Sequence, residues 1–476
     1  MTETQVDAAG GLDAVRPDTA RALLQRVARA QVEGRAPSTA AGLGRGGAVV
    51  WSAGRGTLDG TPSGAVPTTD TQYRVGSITK PFTAVAVMRL RDEGLLDLED
   101  RVDQHVPGAP LGESTIRSLL SHTAGLAAEP PGQWWERSPG VQWAELATAL
   151  GETQALFGPG RRFHYSNPGY ALLGQVVEHL RGAPWIEVLQ AEVLEPLGLS
   201  RTTYGPVQPA APGIAVHPWA DVIMPEVVQD LGAMAPAGQL WSTVADLTRF
   251  ASFLIGADVE GTQEVLSAAT RAEMRETHVV ADGPDWASGY GLGVQVFHIG
   301  GRELIGHGGS VPGFLAMLIG EAERGTTSIE FANATSGVGI FAGQELLEIL
   351  ETHEPTVARA WAPAATLDAD LLALTGVWYW GTRAFTISLR GVDTLLLSPV
   401  GGQRGRSSRF RMADGEWVGL DDYYIGEPLR AVRDGSGRLT HLNIGEFVFT
   451  REPYDPSAPV PGGVDGGGWR AAGDVP

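Results

Sequence analysis

Between Pro355 and Thr366 the sequence changes character, and the two sides of the change demand different architectures. Beyond it come "GVWYWG", "AFTISLRG", "TLLLSPVGG", "SSRFRMADGEWVGL", "EPLRAVRDGSGRLTHLNIG" and "EFVFTREPY". These are short runs rich in β-branched and aromatic residues, punctuated by turn residues, and they predict a small antiparallel barrel or sheet. Ahead of the change, helices and strands are mixed. Residues 17–34 carry apolar positions at helical spacing, and "GGAVVWSAGRG" reads as a strand and turn. A long, largely apolar helix is predicted from Ile78 to about Glu93, with Pro81 in its first turn and Gly94 ending it. From about Trp143 to Leu197 the pattern is helical, broken by "FGPGRRFHYSNPGY". "YGLGVQVFHIGGRELIGHGGSVPGFLAMLIG" alternates like adjacent antiparallel strands, and "GQELLEILETHE" is helix-like. The expected division is an α+β domain over 1–360, a β-barrel over 361–457 and a Pro/Gly-rich disordered tail over 458–476. At 476 residues and 43% hydrophobic, the chain can bury a large core.

Lysines and arginines together number 35, yet Lys80 is the only lysine. A lysine kept where every other cation is arginine marks a position that arginine cannot fill. Arginine stays protonated, whereas a buried lysine can lose its proton and act as a base. Ser77 stands three residues earlier, at the N-terminal end of the predicted helix, so the two side chains can share one face. A serine hydroxyl becomes a useful nucleophile once a base takes its proton, and the helix N-terminus favours an oxyanion over an ammonium. The plainer reading makes Ser77 an N-cap and Lys80 a solvated first-turn residue, and Ser-x-x-Lys alone does not exclude it.

The rest of the chemistry is bounded by absence and charge. A net charge of −20 with no basic stripe argues against nucleic acid. Without cysteine there is no disulfide, thiol nucleophile or thiolate metal site. The histidines lack metal-ligand spacing, so no metal and no cofactor are expected. The N-terminus has no secretory pattern, and no apolar run approaches the roughly 18 residues of a membrane span, so a cytoplasmic, membrane-free protein is expected. "GGAVVWSAGRG" is glycine-rich but lacks the Gly-Lys-Ser/Thr of a nucleotide loop.

Two further motifs follow Ser77 and Lys80 in order. "YSN" at Tyr165–Asn167 offers a phenol that can relay a proton and an amide that can hold an acyl carbonyl. "HGG" at His307–Gly309 lies on a predicted strand, where glycines let a substrate backbone approach. Each alone reads more readily as loop chemistry or chance.

Together, Ser-x-x-Lys, Tyr-x-Asn and His-x-Gly resemble the serine β-lactamase and penicillin-binding-protein superfamily, in the form seen in class C-like enzymes, D-alanyl-D-alanine carboxypeptidases, related esterases and D-aminopeptidases. "IRSLLSHTAGL", "FGPGRRFHYSNPGYALLGQVVE", "EPLGLSRTTY", "AGQLWSTVADLTRFASFL" and "YGLGVQVF" extend the likeness over about Arg21 to Glu351. It implies an antiparallel sheet flanked by helices, with a helical lobe. It makes Ser77 the acylated nucleophile, Lys80 its base or part of a Lys–Tyr relay, and Tyr165 a general acid/base. Asn167 would position the acyl carbonyl and Lys80, and the backbone N–H groups of Ser77 and Ser310 would form the oxyanion hole. His307 stands where the family has the lysine of Lys-Thr-Gly, a weaker anchor for a substrate carboxylate, which counts against β-lactamase or strict carboxypeptidase activity. His122 is expected to make structural hydrogen bonds. Gly308, Gly309, Gly238, Trp134 and Trp135 are candidate cleft residues, as is Trp143, with buried packing as the alternative for the tryptophans. The C-terminal region resembles the lipocalin-like barrel of some members. Arg404, Arg406, Arg409 and Arg411 are expected on its solvated faces, and Arg451 is expected either to meet a substrate or to form a structural salt bridge.

The resemblance leaves three functions open. The first is a penicillin-binding-protein-type thioesterase that macrocyclises a nonribosomal peptide, with a peptidyl carrier protein as partner. The second is a cytosolic esterase or D-specific peptidase that uses water. The third is a non-catalytic sensor of an acyl peptide.

Overall fold

The computed structural model describes residues 14–257, 259–283, 286–335, 339, 342–355, 360–366, 368–391, 393–402, 406–413 and 415–474. The chain separates into two compact units, Met1–Thr356 and Val357–Pro476.

The first unit is built on an eight-stranded sheet. Its strands are β1 (Ser38–Arg45), β2 (Ala48–Gly56), β3 (Val279–Val280), β4 (Ser288–Tyr290), β5 (Gln295–Ile299), β6 (Arg302–Val311), β7 (Phe314–Glu321) and β8 (Thr326–Ala332). The spatial order is β2-β1-β8-β7-β6-β5-β4-β3. Every neighbouring pair is antiparallel. The antiparallel sheet flanked by helices is the arrangement that the sequence motifs implied.

One face of the sheet is covered by helices α1 (Pro17–Glu33) and α5 (Ala342–His353). Leu23 and Val27, four residues apart on α1, meet Leu346, Leu347 and Leu350 over Leu43, Trp51 and Ile319. The other face carries the larger core, with α2 (Thr79–Asp92), α3 (Asn167–Arg181) and α4 (Val244–Leu254). All of α2 except Arg89, Arg91 and Asp92 is buried, because its apolar residues run nearly all round the helix. Phe82 of α2 stacks on Phe250 of α4. The sequence placed the start of this helix at Ile78. The structure instead has a 3-10 turn, Gly76–Ile78, leading into it, so Ser77 sits on the turn and Lys80 in the helix proper.

The second unit is a closed antiparallel barrel. Its strands are β9 (Gly376–Trp380), β10 (Arg383–Arg390), β11 (Thr394–Pro399), β12 (Ser408–Ala413), β13 (Glu416–Gly419), β14 (Pro428–Arg433), β15 (Leu439–Ile444) and β16 (Phe447–Thr450). Each strand pairs with the next along the chain and β9 closes on β16, the up-and-down arrangement also used by lipocalins. Alternate residues such as Trp378, Phe385, Ile387, Leu395, Leu397, Phe410 and Phe449 point inward and fill it. Residues 458–474, within the stretch expected to be disordered, carry turns and a 3-10 helix, Ala472–Asp474, and Trp469 is in ring contact with Tyr454.

Arg409 and Arg411 lie on exposed strand faces as expected, each beside an aspartate. Arg406 does not. Its guanidinium lies 3.7 Å from the Tyr423 ring centre and 4.7 Å from that of Phe447, a cation–π position that a sequence pattern does not reveal. Arg404 lies outside the described residues.

Candidate active site

Three local devices assemble the site. The first is the turn that carries Ser77. Gly76 has φ +52°, a left-handed backbone, and a Cβ there would lie 2.8 Å from the amide nitrogen of Ser310. A Cβ on Gly309 would lie 1.9 Å from the Val75 carbonyl oxygen. The two glycines thus let the turn lie directly on β6, bringing Ser77 beside Ser310. Of the His-Gly-Gly pair, Gly309 is required by this protein–protein approach rather than by a substrate. Gly308 has only the Met317 methyl, at 3.6 Å, before its Cβ position.

The second device is the start of α3. Ser166 caps the helix, its Oγ accepting from the Gly169 N–H at 3.2 Å and donating to Ala127 O at 2.8 Å, and Pro168 fits the first turn. This fixes Tyr165 and Asn167 at the helix entrance. His122, in a left-handed conformation (φ +56°), accepts the Ser166 N–H on Nδ1 at 3.1 Å and packs against the Tyr165 ring. That is the structural role expected of it.

The third is the turn Ala235–Gly238, whose Ala237 carbonyl closes the site from the other side. At Gly238 a Cβ would meet nothing closer than 3.7 Å, so no close backbone approach requires a glycine there. Gly238 does lie beside Gly76 and the Trp135 ring.

Lys80 is fully buried. Its Nζ lies 2.9 Å from Ser77 Oγ, 2.7 Å from Asn167 Oδ1 and 2.8 Å from Ala237 O. Burial pulls its pKa down to about 7, against the opposing pull of the Glu129 and Glu136 charges. The Tyr165 ring centre is 4.7 Å from Nζ. Burial raises the Tyr165 phenol, partly offset by its hydrogen bond with Ser77. Ser77, Lys80, Tyr165 and Asn167 therefore meet, though they are far apart in sequence.

His307 is close by but is not presented to a ligand. Its Nδ1 lies 2.6 Å from Gly308 O, which can only accept, so Nδ1 carries the proton. Nε2 then accepts from the Tyr290 hydroxyl at 2.8 Å. Burial and the Lys80 charge push its pKa down to about 3, so the ring is neutral. Both ring nitrogens are thus hydrogen-bonded within the protein.

Glu129, which no motif singled out, connects the rest. Its two carboxylate oxygens take Asn167 Nδ2 at 3.1 and 3.0 Å, and one also takes the Trp135 indole N–H at 2.7 Å. Trp135 is half-buried at the site, and Trp134, 59% exposed, donates to Glu136 at 3.0 Å. Trp143 instead lines a separate cleft of about 240 Å³ with Trp185 and Tyr204. Arg451 belongs to the barrel. It donates to the carbonyls of Thr375, Val377 and Ala373 and covers the Trp378 ring, so its role there is structural, through carbonyls rather than a salt bridge. No helix among the described residues is long and apolar enough to cross a membrane.

This arrangement, a hydroxyl beside a buried amine with a phenol and a side-chain amide around it, can form and discharge a serine ester. Comparison with known proteins agrees. Residues 23–351 match the Beta-lactamase family model, and 367–451 match a domain of unknown function, DUF7586. Penicillin-binding protein 4 of Amycolatopsis lactamdurans is 30% identical over 66% of this chain and 86% of its own length. Among solved structures, SurE with D-Leu is 25% identical with a TM-score of 0.57, covering 92% of this chain and 100% of that one. A D-stereospecific amidohydrolase from Streptomyces sp. is 26% identical with a TM-score of 0.57, covering 71% and 99%.

Proposed function

This chain belongs to the beta-lactamase family, and from that premise we propose that it is a serine acyltransferase that takes a D-configured peptidyl or aminoacyl group from a thioester or amide and passes it to an amine of the same peptide. The observation that carries the acyl-enzyme part is the set of three contacts on Lys80. Asn167 Oδ1 and Ala237 O can only accept, so the two hydrogens of a neutral amine go to them. The lone pair is then left for Ser77 Oγ, and the amine is set to receive that proton as Ser77 attacks. Tyr165 would pass a proton to and from the leaving and accepting groups, and the Ser77 and Ser310 amides would hold the oxyanion.

The leaving group follows from His307. With both ring nitrogens engaged, nothing at that position offers a cation to a terminal carboxylate, which favours a thioester or simple amide over a carboxypeptidase substrate. The D-configuration is supported by the D-Leu and D-stereospecific relatives. Glu129 and Glu136, which accept from the Trp135 and Trp134 indoles, put negative charge near the site, which favours an amine as acceptor. Under this reading the acyl donor arrives on a carrier protein. The second reading, a D-specific amidase using water, is favoured by the amidohydrolase likeness.

The deciding experiment uses a short peptide thioester mimic ending in a D-residue with a free N-terminal amine. A Ser77-dependent product one water lighter than the linear acid supports cyclisation, with Ser77→Ala as control. Linear acid alone supports the amidase, and no Ser77-dependent product refutes both.

A further inference from the structure

We infer that Glu129 is a positioning residue for Lys80: it dictates which way the Asn167 amide faces and supplies the negative charge that holds the Lys80 ammonium in the site. The inference rests on the reading of Lys80 as base.

The geometry leaves little freedom. An ionised carboxylate only accepts, so the atom of Asn167 that faces both Glu129 oxygens must be Nδ2. The amide's other end, Oδ1, is thereby turned to Lys80. Were the amide reversed, Nδ2 would face the amine and compete with the Ser77 hydroxyl for its lone pair. The Trp135 N–H, at 2.7 Å, fixes the carboxylate itself. A loop carboxylate that is exposed at the surface therefore determines, through one amide, where a fully buried amine can point.

The charges around Lys80 single out the same residue. Tyr165 and Tyr170 lie with their rings toward Nζ, and burial keeps both phenols protonated. His122 and His307 are buried and held neutral. That leaves Glu129 and Glu136 as the opposing charges. Glu136 is partly buried, which raises its own pKa, and it reaches Lys80 through no hydrogen-bonded chain.

Lys80 is the only lysine of the chain, so protein labelled with ε-¹³C-lysine gives one signal, and its titration reads this amine directly with no need for turnover. In wild type the midpoint is expected at about 7. Glu129→Gln keeps an acceptor for Asn167 Nδ2 but loses the charge, and should lower the midpoint by roughly half to one pH unit. Glu129→Asp should stay closer to wild type, and Glu136→Gln should shift it less than Glu129→Gln does. A Glu129→Gln midpoint that is unmoved or raised, or a larger shift in Glu136→Gln, overturns the assignment. Glu129→Leu removes the acceptor as well. At a pH above both midpoints it should acylate Ser77 with an activated ester at least about tenfold more slowly than Glu129→Gln, given the usual cost of misplacing a catalytic group. Equal rates overturn the orienting role. If wild type fails to acylate at all, the enzymatic reading fails, while the titration still decides for or against Glu129.

Discussion

At the scale of single residues, the site depends on an amine that must be able to lose its proton. Lys80→Arg should keep the native circular-dichroism spectrum and nearly abolish acylation of Ser77 by an activated ester, because guanidinium cannot act as the base. Near-normal acylation in that variant would remove Lys80 from this role. The pH dependence has a fixed sign. The reactive form is the neutral amine, so acylation should rise with pH through about 7 and level off above it. A profile flat from about pH 5 to 9 would contradict this. Tyr165→Phe should slow acylation or acyl release by about 10²–10⁴-fold, read by single-turnover kinetics. Much of this was legible beforehand. A unique lysine three residues after a serine, followed by Tyr-x-Asn, carries its chemistry in residue types. His307 and Glu129 were not legible. What His307 can do depends on partners from β4 and on its own strand, Tyr290 and Gly308, and Glu129 matters only because a loop folds back onto the entrance of α3.

At the scale of elements, the contact between the Ser77 turn and β6 is the narrowest in the site. Gly309→Ala would force a methyl group into the Val75 carbonyl, 1.9 Å from the ideal Cβ position. The turn or the strand must then move, at a cost of about 1–3 kcal/mol in unfolding free energy, and the Ser77 and Ser310 amides would separate. Denaturant unfolding measures the first effect and Ser77 acylation the second, and a variant normal in both would show that the approach is not needed. Gly308→Ala, facing only the Met317 methyl at 3.6 Å, is the matched control and should be tolerated far better. Helices and strands were largely visible from periodicity. The 3-10 turn before α2 was not, because Ile78 continues the apolar pattern of the helix and the left-handed backbone of Gly76 leaves no mark in that pattern.

At the scale of the whole chain there are two units, each with its own core. The second buries a set of large apolar side chains within a sheet that closes on itself. Residues 357–476 expressed alone should therefore fold and melt cooperatively, seen by far-ultraviolet circular dichroism. A non-cooperative melt would show that the barrel depends on the first unit. Short alternating runs sufficed to predict a barrel or sheet, while closure itself depends on a pairing between β9 and β16, the first and last strands, which no local pattern announces. Closure also restricts how this unit can meet anything else. Among the described residues the border strands are joined to each other at Tyr379 and Thr450, which narrows the edge at which an extended peptide could add one more strand and favours recognition by side chains and by the loops at the two rims.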